Sequence, residues 1–219
     1  ALDIPNVSSP GASPLEVQTK NSVVRKLLEE LQIPLHYFPY VKGNSSYIEE
    51  LGSLKSLILG SLVLFQKGDQ PLSEQQWDRI FQIAAWEDVP VVINSNNENG
   101  WHPQFFGDGA KSLLEKAIYY AQRQNSRLFV LNISTKEELK IIEEARRKEM
   151  LIYTETTPEH LFPKNPHDAD FLWEAIAKGV IESLGSGYDH DKESDDKWMW
   201  KESSFEFSNP IFFLPQLLT

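Results

Sequence analysis

Cysteine is absent from all 219 residues. That excludes disulfides, a thiolate nucleophile and any Cys-ligated metal. It does not fix the compartment, and a cytoplasmic location is the expectation. Long apolar runs are also missing. The longest, residues 57–65, is broken by Gly60 and Ser61 and falls far short of the roughly 18 residues that span a bilayer. No membrane contact is expected. No signal-peptide pattern opens the chain, and Ala1 fits either a removed initiator methionine or a fragment. Positive charge is scarce, with 21 Lys and Arg against 32 Asp and Glu and a net charge of −11. Nucleic-acid binding calls for a basic stripe, so none is expected, and the acidic surface serves solubility. No GxGxxG follows a strand, so a dinucleotide fingerprint is lacking. No GxSxG elbow is present, so no Ser-His-Asp arrangement is proposed.

What the chain does have is enough apolar material for a core, at 41% hydrophobic, in a length that suits one domain over 1–219. Residues 128–155 are the most legible part. LFVL at 128–131 is a short apolar run, as expected of a strand buried on both faces. Ser134 with Glu137 reads as a capping box that opens a helix. Leu139, Ile142 and Ala145 recur at helical spacing, and MLIY at 150–153 is the next apolar run. Two buried strands joined by a helix make a βαβ unit, which builds parallel sheets.

The same unit repeats along the chain. Residues 2–4 end a strand at Pro5-Asn6. Ser13, Pro14 and Glu16 open a helix whose buried stripe is Val17, Val24, Leu27, Leu28 and Leu31. A strand is expected over 34–41, with Pro39 a warning against a regular central strand. Ser46 caps a short helix carrying Ile48, Leu51 and Leu54, and 61–65 is strand again. Ser73 and Gln76 box the next helix, with Trp77, Ile80, Phe81, Ala84 and Ala85 on one face. Residues 90–93 form a strand, 94–108 a long polar and aromatic loop, and 111–124 a helix. Beyond the 128–155 stretch come a loop over 156–168 and a helix over 171–178 that ends at Gly179. The last strand is 180–184. Residues 185–204 are a charged loop, and 211–218 are apolar.

About seven strands alternate with helices, the pattern of an α/β fold. A TIM-barrel-like (β/α) arrangement fits better than an open doubly wound sheet. Such barrels hold eight strands and typically run near 250 residues, so the barrel is expected to be incomplete. An unclosed parallel sheet leaves two edges bare, so something is expected to cover the gap between the segments near Leu2 and Ile181. A second copy, another partner or the run at 211–218 would serve.

Four stretches then resemble a known family in their order. They are ETTPEHLF at 155–162, Asn165-Pro166, FLWEAIAKGVIESLGS at 171–186 and FLPQLLT at 213–219. They resemble dihydroorotase and its relatives, the dihydropyrimidinases and allantoinases. Asp3-Ile4-Pro5-Asn6 is similar to that family's Met-Pro-Asn segment after the second barrel strand. The resemblance implies a metal-dependent amidohydrolase barrel whose missing strand is the first. In that family one or two divalent metals, zinc for example, turn water into hydroxide and polarise an amide carbonyl while an aspartate moves the proton. The first-strand His-x-His pair has no counterpart here. Where the fourth strand carries a lysine, this chain offers leucine in 60–63. Where strands five and six end in ligand histidines, it offers Asn94 and Asn132. In the eighth, only a two-residue slip brings Asp189 and His190 to the aspartate and ligand positions.

Amide nitrogen does not ligate zinc and amide oxygen does so weakly. A random mixture of surface changes would not select these positions. The resemblance therefore implies the fold and argues against the chemistry. It also implies substrate-contacting roles for Asn6, His160 and Asn165, with Asp189 as the catalytic aspartate and His190 as a possible ligand. Each has a plainer reading. Asn6 suits a turn, His160 a hydrogen-bonded loop, and Asp189-His190 a solvated acidic loop. Trp101-His102 suits a pocket, a partner surface or a packed loop. His36 and His167 carry no usable signal. Three functions stay open. One is a non-catalytic scaffold, as a second copy or for another pyrimidine-pathway enzyme, in the way inactive relatives serve aspartate transcarbamoylase. Another is a working cyclic-amide hydrolase with an unusual or externally completed zinc site. The third is a small-molecule binder that kept the pocket and needs no metal.

Overall fold

The computed structural model describes residues 2–3, 14–34, 38–42, 61–63, 72–94, 113–162 and 166–185. Seven strands appear among them. They are β1 (Leu2–Asp3), β2 (Phe38–Lys42), β3 (Ser61–Val63), β4 (Val91–Asn94), β5 (Leu128–Leu131), β6 (Ile152–Thr156) and β7 (Ser183–Leu184). Six α-helices accompany them: α1 (Pro14–Glu30), α2 (Glu74–Trp86), α3 (Leu113–Gln124), α4 (Lys136–Arg146), α5 (Pro158–Leu161) and α6 (Asp170–Ala177). The chain packs as two compact units. The first holds β1–β4 and α1–α3, and the second holds α4–α6, β6 and β7. The division falls inside β5, between Phe129 and Val130, and Asn94 counts with the second.

In the first unit the strand order is β1-β2-β3-β4. The pairings β1–β2, β2–β3 and β3–β4 are all parallel. Pro39 stands in register with Asp3 of β1, and β2 meets β3 only from Tyr40 onward, so the ladder to β3 does not draw on its missing amide. α2 starts as its sequence requires. The Ser73 hydroxyl accepts from the Gln76 amide at 3.3 Å, and the Gln76 side chain accepts from the Ser73 amide at 2.8 Å. Its inner face buries Trp77, Ile80, Phe81 and Ala84, with Ile83 added and Ala85 only half-buried. The α3 ring of Tyr120 stacks on Trp77 at 5.6 Å. Its hydroxyl donates to Glu74, which also takes Lys116 at 2.7 Å. Those two partners hold the Glu74 carboxyl below its usual range. Burial and the Glu74 carboxylate push the Tyr120 phenol up.

α1 departs from expectation. Leu27 is 47% and Leu31 65% exposed, and Val24 and Leu28 are only half-buried. Helical period alone did not decide burial, because an apolar stripe needs a facing surface to cover it. Val17 lies outside the described side chains, as does the whole of the expected helix after Ser46.

In the second unit the order is β5-β6-β7, with β6 and β7 parallel. The N-cap of α4 is Thr135, not Ser134. Both boxes are available in the sequence. Glu138 is the better closer, since its Oε2 accepts from the amides of Ser134 at 3.0 Å and Thr135 at 2.9 Å. Leu139, Ile142 and Ala145 are buried as their spacing requires. β6 is shifted two residues from the apolar run and is buried on one face only. Ile152, Thr154 and Thr156 point inward, whereas Leu151 is 59% and Tyr153 43% exposed. The loop expected over 156–168 contains α5 and a short 3-10 helix, Pro166–Ala169. α6 ends with Gly179 at φ +69°, the left-handed C′ position.

β7 is shorter than expected because Val180 and Ile181 close α6 instead. Their amides donate to the Ala175 carbonyl at 2.8 and 3.2 Å. The Val180 carbonyl is taken by Arg146 Nη1 at 2.8 Å and the Thr154 hydroxyl at 2.6 Å. Arg146 also reaches the Ile152 carbonyl at 2.9 and 2.6 Å and Glu182 Oε1 at 2.8 Å. Glu182 Oε2 accepts from the Thr154 amide at 2.9 Å. One guanidinium thus ties α4 to the starts of β6 and β7. No helix among the described residues is long and apolar enough to cross a membrane.

Candidate functional site

Parallel α/β folds gather ligand-binding groups at the carboxyl ends of their strands. β4 ends at Asn94, which is half-buried. Asn132 directly follows β5 and has φ +58°. Asparagine tolerates that left-handed backbone better than most residues, so its identity also has a backbone reason. Three hydrogen bonds join the ends of β5, β6 and β7. The Ile133 amide donates to the Glu155 carbonyl at 2.9 Å, and the Gly185 amide to the Thr156 carbonyl at 2.9 Å. The buried Thr156 hydroxyl donates to the Ile133 carbonyl at 2.8 Å. Thr157, 2% exposed, precedes α5. The half-buried His160 lies on that helix, and its amide donates to the Thr157 carbonyl at 3.0 Å.

Glu155 is the feature that sequence reasoning missed. It alternates with the inward-facing Thr154 and Thr156, so it shares the other face of β6 with Tyr153. Its carboxyl lies against Gly185, where an added Cβ would sit 2.6 Å from Glu155 Cδ. The carboxyl occupies the space a side chain at 185 would take, so a larger residue there would have to displace it. Burial pushes the Glu155 carboxyl up to about 7. A carboxyl that titrates near neutrality can give or take a proton. The available signal was a glutamate at the end of an apolar strand, with a glycine just past the neighbouring strand. In the sequence it is only the first letter of ETTPEHLF.

The other expected positions fare differently. Asn6, Asn165, Asp189 and His190 lie outside the described residues, as do His36, Trp101 and His102 and the 211–218 run. His167 makes an exposed contact of 3.2 Å with Asp170, and no further role follows from it.

A hydrolytic metal centre needs imidazole and carboxylate donors that converge on one point. Among the described residues no group of three or more His, Asp or Glu side chains could hold an ion. Asn94 and Asn132 bring amides, and Glu155 is a single carboxyl against a glycine. The described donor set does not fit zinc.

No family model matches the chain, and no curated protein matches it. Solved structures do. L-hydantoinase (dihydropyrimidinase) from Arthrobacter aurescens superposes with a TM-score of 0.65 at 17% identity, over 84% of this chain and 49% of that one. D-hydantoinase from Bacillus sp. AR9 gives 0.60 at 16%, over 95% and 54%. The inactive dihydroorotase-like domain of the Chaetomium thermophilum CAD-like multifunctional protein gives 0.55 at 16%, over 84% and 52%. The chain therefore spans about half the length of the structures it resembles. What they share with it is the fold, a parallel α/β architecture.

Proposed function

We propose that the chain is a dihydroorotase-like protein that has lost metal-dependent hydrolysis and acts as a non-catalytic scaffold or partner subunit in pyrimidine metabolism. The supporting observation is the pair Asn94 and Asn132. They stand at the end of β4 and just after β5, the strand ends where the resemblance calls for ligand histidines. Neutral amides there cannot supply the affinity that two imidazoles give zinc. The likeness to a domain described as inactive and dihydroorotase-like is in keeping with this reading. In this proposal the protein works in the cytoplasm, beside a second copy or another enzyme of the same pathway such as aspartate transcarbamoylase.

The test is metal content and turnover on one purified sample. Zinc well below one ion per chain, with no chelator-sensitive hydrolysis of dihydroorotate, is the expected result. Near-stoichiometric zinc with turnover that a chelator abolishes would sink the proposal and favour a working cyclic-amide hydrolase. The partner role is read separately, by light scattering of the chain alone and with aspartate transcarbamoylase. A second reading, a small-molecule binder, has its own support in the open face of β6 carrying Tyr153 and Glu155.

A further inference from the structure

α1 buries only part of its apolar surface. Asn21, Val24 and Leu28 are its half-buried positions, and they mark the side that meets the rest of the unit. Val23, Leu27 and Leu31 stand on the neighbouring flank and are 52%, 47% and 65% exposed. Lys20, Val23, Leu27 and Glu30 follow one another at steps of three, four and three residues, the spacing of a two-helix coiled-coil seam. All four are exposed. The seam is apolar in its middle, cationic at one end and anionic at the other. Glu30 meets Lys26 only at 3.7 Å, with both side chains largely exposed, and such a surface pair contributes little. No basic residue stands in the last turn of α1 to oppose the helix dipole.

We propose that this flank of α1 is the contact between two copies of the chain, packed as an antiparallel helix pair. The charges choose both the occupant and its direction. With a two-fold axis level with Arg25, Lys20 of each copy meets Glu30 of the other, and Val23 of each meets Leu27 of the other. A two-fold contact requires such a self-complementary patch. A parallel pair would set lysine on lysine and glutamate on glutamate, and like charges repel. The antiparallel pair also brings a cation to the last turn of each helix, the end where a helix favours one. At 1.5 Å per residue the 17-residue helix is about 25 Å long. One such helix pair falls at the low end of specific interfaces, below about 1,200 Å², so the dimer is weak and reversible. The inference rests on reading the protein as a partner subunit that acts beside a second copy, and it gives that role a surface.

The experiment is analytical ultracentrifugation of the full chain over a wide concentration range. The mass should rise from monomer to dimer as concentration rises. Leu27→Lys should weaken the dimer at least tenfold. Lys20→Glu and Glu30→Lys should each weaken it several-fold, and the two together should restore it to within about threefold of the parent. Direction is read with cysteines, since the chain has none of its own. Mixed Val23→Cys and Leu27→Cys chains should oxidise to the mixed disulfide faster than either links to itself, whereas a parallel pair would link like to like. If L27K loses its helical circular-dichroism spectrum, the charge exchange and the disulfides decide. A monomer at every concentration, a dimer indifferent to these substitutions, or disulfides between like positions would overturn the proposal. A dimer that ignores α1 leaves the partner role standing. Zinc and turnover judge the loss of hydrolysis on their own, so the two readings fail separately.

Discussion

The strand pair β6–β7 has two unlike ends. At its start, Arg146 holds the carbonyls of Ile152 and Val180 and the Glu182 carboxylate, and Glu182 holds the Thr154 amide. Every strong polar group there has a partner of opposite character. At its finish, Glu155 lies against Gly185 with burial as the one cause that moves its proton affinity. The same two strands thus carry a satisfied network and, within a few residues, a carboxyl with no side-chain donor among the described residues. Parallel α/β folds segregate stability to the amino ends of strands and chemistry to the carboxyl ends. This unit follows that division even though its described donors do not fit a metal.

The contrast can be broken from either end. Replacing Arg146 with Met should have the largest effect, because it removes hydrogen bonds to two carbonyls and leaves the Glu182 carboxylate without its cation. Charge-assisted bonds are worth about 1.5–3 kcal/mol each, and Glu182 is 40% exposed, which lowers its share through solvent screening. A loss of about 3 kcal/mol in urea unfolding is expected. A loss under about 1 kcal/mol would mean the clamp is ornamental.

At the other end the sign reverses. The folded state raises Glu155 from 4.5 to about 7. The group's stabilising contribution is therefore complete below about pH 4.5 and is lost as pH rises through 7. Half-burial limits the swing to about 2 kcal/mol. Glu155→Gln should flatten that part of the stability–pH curve and leave the protein more stable than the parent at pH 8. An unchanged curve would show that the carboxyl is well solvated.

Smaller still is the cap of α4. Thr135→Ala should cost about 1 kcal/mol, whereas Ser134→Ala should cost clearly less. Equal losses would return the cap to the position read from sequence. The effect belongs to local helix stability, so it should leave the pH response of Glu155 untouched.

Much of the architecture was legible beforehand. The Ser73–Gln76 box, the LFVL strand and the buried triplet Leu139, Ile142 and Ala145 all follow from local rules. A capping residue or a repeat of 3.6 acts within one turn of chain and needs no knowledge of what lies opposite. The failures share a cause. Whether Leu27 and Leu31 are covered, which face of β6 is open and where β7 begins all depend on neighbours distant in sequence. Asn94 and Asn132 could be placed at strand ends because the strands could be placed. Glu155 could not be recognised, because its character depends on Gly185, thirty residues away in the chain but under its carboxyl in space.

The sequence by itself determined the parallel α/β class, the Ser73 start of α2 and the amide side chains at two strand ends. These depend on spacing, capping and side-chain chemistry, which are local. Only the tertiary structure decided that Arg146 closes one end of β6–β7 while Glu155 is left without a donor among the described residues at the other. Hydrogen-bond satisfaction and desolvation are set by which groups meet across the fold, and no local pattern in the chain encodes that meeting.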